Sequence, residues 1–314
     1  MGGATAEVTR QRAVAGGALV VVVASVVAWS LAQQQNSLAA TLVRAVADGS
    51  AVVAFGLAAV PMLDIDRYRG EVLRRATAPL TIAAAVWLLA ELLRITVAAA
   101  QVAAIPISRL GIRTAADFAL HTTAGRSGLF SAVAAGLVCL AVVAAPRSVS
   151  TNVAVAGLAA VGVAARPLTG HVSESALGGV AVAVHTLAAA LWCGALAALV
   201  LTVEHRGQWA RVLPRFSQMS LFCVAALLVG GVLGAAVTIG TPSQLYATAY
   251  GRLLSAKVMV TVVLVVLAYR NRTMWLSAAR AHRTTAVVSR SRALFELAIM
   301  AVALALAAAL AVTG

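Results

Sequence analysis

At 314 residues, with 62% hydrophobic and 11% charged residues and a mean hydropathy of +0.96, the chain carries more apolar surface than a soluble globule of this size can hide. The formal net charge of +14 comes largely from arginines gathered between apolar runs, a pattern that marks membrane topology and argues against a nucleic-acid partner. Alternating ten-residue segments bounded by turn signals are missing, so helices and not a barrel must satisfy the backbone within lipid.

With about 20 apolar residues per crossing as the ruler, the sequence predicts helices over 13–32, 38–63, 77–101, 126–145, 149–165, 177–203, 215–238, 251–269 and 293–313. The first run follows Arg10 and Arg12 and is too long for a signal peptide; with no small-x-small cleavage site it reads as a retained span. The fifth run is short, and without it eight crossings remain. Arginine placement decides between the two counts. Nine crossings put the arginines of the 64–76 and 270–292 loops, with Arg147, Arg206 and Arg211, on one face, whereas deleting the fifth would place the two loops on opposite faces. The expectation is an all-α polytopic transmembrane bundle of nine spans, N-terminus inside and C-terminus outside. Five helices form a front half (1–170) and four a rear half (171–314). The arginines of the 270–292 loop serve as a cytoplasmic retention signal or as a contact for anionic lipid, and Gly230 and Gly234 stand in GxxxG register for close helix packing.

Ionisable groups within spans are costly unless paired or wet, so they carry the functional information. Arg44 and Asp48 lie one turn apart in the second span, and Glu91 and Arg94 are similarly spaced in the third. Each couple is at least a self-neutralising pair that staples helices. Lys257 sits near the outer start of the eighth span with no partner in its own helix, so a carboxylate such as Asp48 or Glu91 is expected to come to it from another. Asp117 and His121 precede the fourth span, His171 and Glu174 precede the sixth, and His185 lies about two turns down it. This topology gathers the intramembrane charges into a polar vestibule in the outer half.

Imidazole suits copper, zinc, iron or nickel, and the oxygen-rich clusters typical of calcium sites are missing. Cys193 follows two turns below His185, and Cys223 lies in the inner part of the seventh span. Outer imidazoles leading to deeper thiols match the ligand preference of Cu(I), although free cysteines are also ordinary small core residues. The three cysteines, Cys139 included, show no CxxC pairing and form no disulfide framework.

In the rear half, His185 is followed by Trp192-Cys193-Gly194, then by Arg215-Phe216-Ser217, Gly230-Gly231, Tyr250-Gly251-Arg252-Leu253-Leu254 with Lys257, and Asn271-Arg272. In this order the features resemble the copper resistance protein D (CopD) family of membrane proteins. The front half matches in hydropathy more than in motif, and Ala195 departs from a second glycine carried by many relatives. The resemblance implies copper handling at the bacterial cytoplasmic membrane, with inward movement aided by an extracytoplasmic copper-binding protein. Some relatives add an oxidase assembly module or an extracytoplasmic copper-binding domain, and neither is expected here.

The leading expectation is therefore a non-enzymatic, multi-pass membrane protein that admits copper from outside. His185 is the central ligand and His171 and His121 are the entry ligands. Arg44, Asp48, Glu91, Arg94 and Lys257 set the vestibule charge, and Cys193 is a deeper thiol. No Walker loop and no nucleophile with an adjacent base is visible, so hydrolysis does not drive movement. Two rival readings stay open. One is a membrane redox protein holding haem or quinone, for which two facing intramembrane histidines would be needed. The other is a scaffold or assembly factor that delivers copper to an oxidase without transporting it, with an oxidase assembly factor as partner.

Overall fold

The computed structural model describes residues 2–32, 37–145, 148–167, 176–238, 244–281 and 283–313, and among these no strand occurs. The helices are α1 (Gly2–Leu31), α2 (Leu38–Ala59), α3 (Asp66–Val102), α4 (Ile112–His121), α5 (Thr123–Ala144) and α6 (Val149–Ala165). They continue with α7 (Ala176–Thr202), α8 (Arg206–Thr238), α9 (Gln244–Ala247), α10 (Ala249–Arg270), α11 (Leu276–Arg280) and α12 (Ala286–Thr313). A π-helical turn, Asn271–Trp275, joins α10 to α11. Four starts are capped by hydroxyls: Ser37, Thr122, Ser148 and Thr248 each accept the backbone N–H three residues on, whereas α3 and α4 begin after Ile65 and Gly111 with no side-chain cap.

Among the described residues eight helices are long and apolar enough to cross a membrane, while α6, at 17 residues, is shorter. At 1.5 Å per residue α6 is still about 25 Å long. Its first turn is tied to the end of α2 through Asn152, which donates to the Ala58 carbonyl. Its last residues lead to Arg166, which pairs with Glu91 toward the other end of α3. Helix α6 thus runs the length of the bundle beside α2 and α5.

Helices α3 and α8 begin earlier than apolar runs alone predict, at 66 and 206 instead of 77 and 215. Their first turns are polar and continue through Pro79 and Pro214. On α3 these turns are held by Arg69–Asp66 at 2.7 Å and Arg75–Glu71 at 2.9 Å. Arg75 also reaches Glu204, and Arg211 grips the fully buried Asp64 with two nitrogens at 2.7 and 2.8 Å. All these groups gather at one end, here called the arginine-rich end.

Helix α2 is the hub, packed against α3, α6, α7 and α12. Its closest approach is to α7, where Gly56 meets Gly194 and a β-carbon on either would overlap the opposing backbone. Small residues at such a crossing exchange side-chain volume for backbone proximity, which is how helices associate when lipid removes the hydrophobic drive. Large apolar side chains such as Ile82, Leu89, Phe130, Phe222 and Val262 point outward, as a lipid-facing surface requires.

Candidate functional site

His185 lies in the third turn of α7 and is half-buried. Its Nδ1 is 2.9 Å from the Leu227 carbonyl of α8. A carbonyl only accepts, so Nδ1 carries the proton and the neutral ring keeps its lone pair on Nε2. Gly230 and Gly231, one turn further along α8, make room for the ring. A β-carbon at Gly230 would come within 2.9 Å of His185 Cβ and 2.8 Å of the Ala181 carbonyl, and one at Gly231 within 3.4 Å of the ring Cε1. The glycine pair noted in the sequence is therefore a cradle for the imidazole. The resulting site offers one fixed nitrogen donor of the kind copper accepts.

Lys257 of α10 is the charged group that acts on His185. No carboxylate among the described residues pairs with it, which corrects the expectation that Asp48 or Glu91 would do so. Those two are engaged elsewhere. Asp48 sits between Arg44 at 3.5 Å and Arg94 at 3.4 Å, and Arg44 also donates to the Ala311 carbonyl of α12 at 3.0 Å. Glu91, 1% exposed, is gripped by Arg166 through Nε at 3.0 Å and through Nη2, accepts from Ser131 at 2.9 Å, and lies 3.7 Å from Arg94. Ser131 in turn accepts from the Trp87 indole at 3.2 Å.

The charges thus form two separate sets and not one vestibule. The first, Arg44, Asp48, Glu91, Arg94 and Arg166, is a tied network between α2, α3, α5 and α6. The charges acting on Arg94 all belong to it. The second is His185, held between α7 and α8, with the charge of Lys257 on α10 reaching it. The couples expected from spacing, Arg44 with Asp48 and Glu91 with Arg94, are present, but the stronger partner of Glu91 is Arg166, which sequence reasoning passed over. Its position directly after an apolar run was the available signal.

Among the described residues, no three His, Cys, Asp or Glu side chains gather to hold a metal. His121 ends α4, with its side chain 74% exposed and Nδ1 3.2 Å from the Asp117 carbonyl. Helix α4 packs on α3 and α5, a different flank from that of His185. His171 and Glu174 lie outside the described residues. Cys193 and Cys223 are free thiols, and the charge of Glu296 on α12 reaches Cys193 without a hydrogen bond between them among the described contacts. Glu296, also passed over in the sequence, is 2% exposed and accepts a 2.6 Å hydrogen bond from Asn271 Nδ2. The signal for it was an acidic residue inside the last apolar run.

Residues 35–180 match the family model described as copper resistance protein D-like, N-terminal domain, and residues 210–310 match the model described as copper resistance protein D. Over 95 residues the chain is 35% identical to the inner membrane protein YebZ of Escherichia coli (strain K12), a match that takes in 29% of this chain. The chain spans about a third of the length of that relative, 32%. No solved structure matches it.

Proposed function

The chain belongs to the copper resistance protein D family, and from that premise we propose that it carries copper inward across the bacterial cytoplasmic membrane. The arginine-rich end faces the cytoplasm under the positive-inside rule. Copper then enters from the opposite end, where an extracytoplasmic copper-binding protein delivers it, and the surrounding partner is the lipid bilayer. His185 Nε2 is the first intramembrane ligand, His171 serves as the entry ligand, and Cys193 is the softer donor deeper in α7; His121, on the flank of α3 and α5, is left out of this path.

The observation that carries this reading is the locked tautomer of His185. An imidazole committed at Nδ1 to the Leu227 carbonyl presents a bare nitrogen without having to reorganise. Lys257, which no carboxylate among the described residues pairs and whose charge reaches His185, supplies the opposite tendency, since a cation bound at His185 feels its repulsion. A carrier needs binding weak enough for release, and this juxtaposition provides it. No chemical reaction is assigned, and movement is passive or coupled to an ion gradient.

The test is copper accumulation in proteoliposomes containing the intact protein, with His185→Ala as comparison. Accumulation lost in the variant is expected. Equal accumulation by both proteins, or no copper binding by either, would reject the reading.

A second reading draws on the lack of a three-ligand cluster among the described residues. The protein would then hold copper only together with ligands of a partner, as a delivery scaffold for an oxidase assembly factor. Binding without accumulation, accompanied by transfer to an apo-acceptor, would favour it. The haem alternative needs a second intramembrane histidine, and among the described residues His185 alone lies within a span. A Soret band in the purified protein would revive it.

A further inference from the structure

Toward the arginine-rich end, a small half-open cleft of about 20 Å³, room for a single water, lies between α8, the π turn and α12. It is lined by Ser217, Ser220, Asn271, Arg272, Trp275 and Glu296 among others. It gathers the Ser217 and Asn271-Arg272 motifs, which the copper reading leaves without a role. The π turn explains how adjacent residues serve different neighbours, because its extra residue breaks the α-helical register. Asn271 Nδ2 donates to Glu296 Oε2 at 2.6 Å, while Arg272 Nη1 turns to α8 and donates to the Ser217 carbonyl and hydroxyl, both at 2.9 Å. The carboxylate and the guanidinium therefore line one cleft without pairing, and Glu296 makes no ion pair among the described residues.

The geometry points to Glu296 as a proton-binding site, loaded and unloaded from the arginine-rich end through this cleft. A buried carboxylate without a counter-ion is expensive in a membrane bundle and by default marks a functional group. Asn271 offers it an N–H, which suits a carboxylate oxygen and opposes a metal cation. Asn271 engages Oε2 and the Trp192 indole of α7 also faces the carboxylate; a proton from the aqueous phase converts carboxylate to neutral acid and leaves by the same route. The other ionisable groups at this level are Cys193 on α7 and Arg272 on the π turn, while α8 presents only Ser217 and Ser220. Arg44 of α2 reaches α12 at Ala311, about four turns further along. The inference stands without copper as cargo.

The full-length protein in nanodiscs is treated with a water-soluble carbodiimide, which modifies protonated carboxyls, across a pH series, and the modified residue is mapped by mass spectrometry. Infrared difference spectra are recorded over the same series. Glu296 is expected to be modified at low pH and progressively less as pH rises, with a carboxylic C=O band that follows the same course and is missing in Glu296→Gln. Asn271→Ala retains the acid but removes the donor that favours the charged form, so it should increase modification several-fold at a pH on the transition. No modification of Glu296 at any pH in folded protein would overturn the inference. So would labelling indifferent to pH, or protection by copper ions at constant pH.

Discussion

Gly56 of α2 and Gly194 of α7 meet backbone to backbone, so that a β-carbon at Gly194 would overlap the Val52 carbonyl as well as Gly56. Neither backbone is the flexible end of a side chain, so the helices themselves would have to separate. Gly194→Ala is expected to destabilise the bundle by about 1–3 kcal/mol, the usual range for overpacking. Gly157→Ala, on α6 where a β-carbon meets nothing within 4 Å, serves as control. Thermal unfolding in detergent is the measurement, and equal midpoints for the two variants would contradict the close crossing.

The Glu91–Arg166 pair makes a second prediction. Removing the guanidinium with Arg166→Gln leaves a carboxylate that is 1% exposed, with Arg94 3.7 Å away as its remaining cation. Breaking a buried pair from one side costs about 3–5 kcal/mol, whereas neutralising both sides costs far less. The double variant Glu91→Gln/Arg166→Gln should therefore be more stable than Arg166→Gln alone. The opposite order in a denaturation series would show that Arg94 already suffices for Glu91.

These two contacts also show how far the sequence could be read. Helical class and span positions follow from apolar run lengths, which are local properties. The likeness to copper resistance protein D was carried by motifs in the rear half, yet the family match extends through residues 35–180, where hydropathy alone had suggested it. Partner choice among charges was not legible. Spacing along one helix identifies Arg44 with Asp48, but Arg166 reaches Glu91 across 75 positions and Asn271 reaches Glu296 across 25. Such pairs depend on which helix faces are brought together, and hydropathy does not encode that. The Leu227 carbonyl opposite His185 was equally hidden, because every residue but the functional one contributes only backbone there.

Lys257 supplies a prediction of opposite sign to most substitutions. Since no described carboxylate neutralises it and it acts on His185, Lys257→Met removes repulsion felt by a cation at Nε2. At an effective dielectric near 20, a like charge several ångströms away contributes on the order of 1–2 kcal/mol, so copper binding should tighten roughly tenfold. Release would slow correspondingly, and proteoliposome uptake should fall even though affinity rises. Weaker binding in calorimetric titration would mean that Lys257 supports the site and does not oppose the cation.

The cradle of His185 can be tested without touching the histidine. Gly230→Ala places a β-carbon 2.9 Å from His185 Cβ and 2.8 Å from the Ala181 carbonyl, so α7 and α8 must part locally and the Nδ1 contact with Leu227 lengthens. The ring then loses the partner that fixes its tautomer and aims Nε2. Copper affinity should fall about 10–100-fold, the usual cost of losing such an orienting contact. Because the glycine acts through the imidazole, the loss should vanish in a His185→Ala background, where no ring remains to be displaced. A double-mutant cycle read by copper binding decides the matter. If Gly230→Ala weakens binding by the same factor with and without His185, the glycine serves the helix crossing alone and the imidazole is not the ligand.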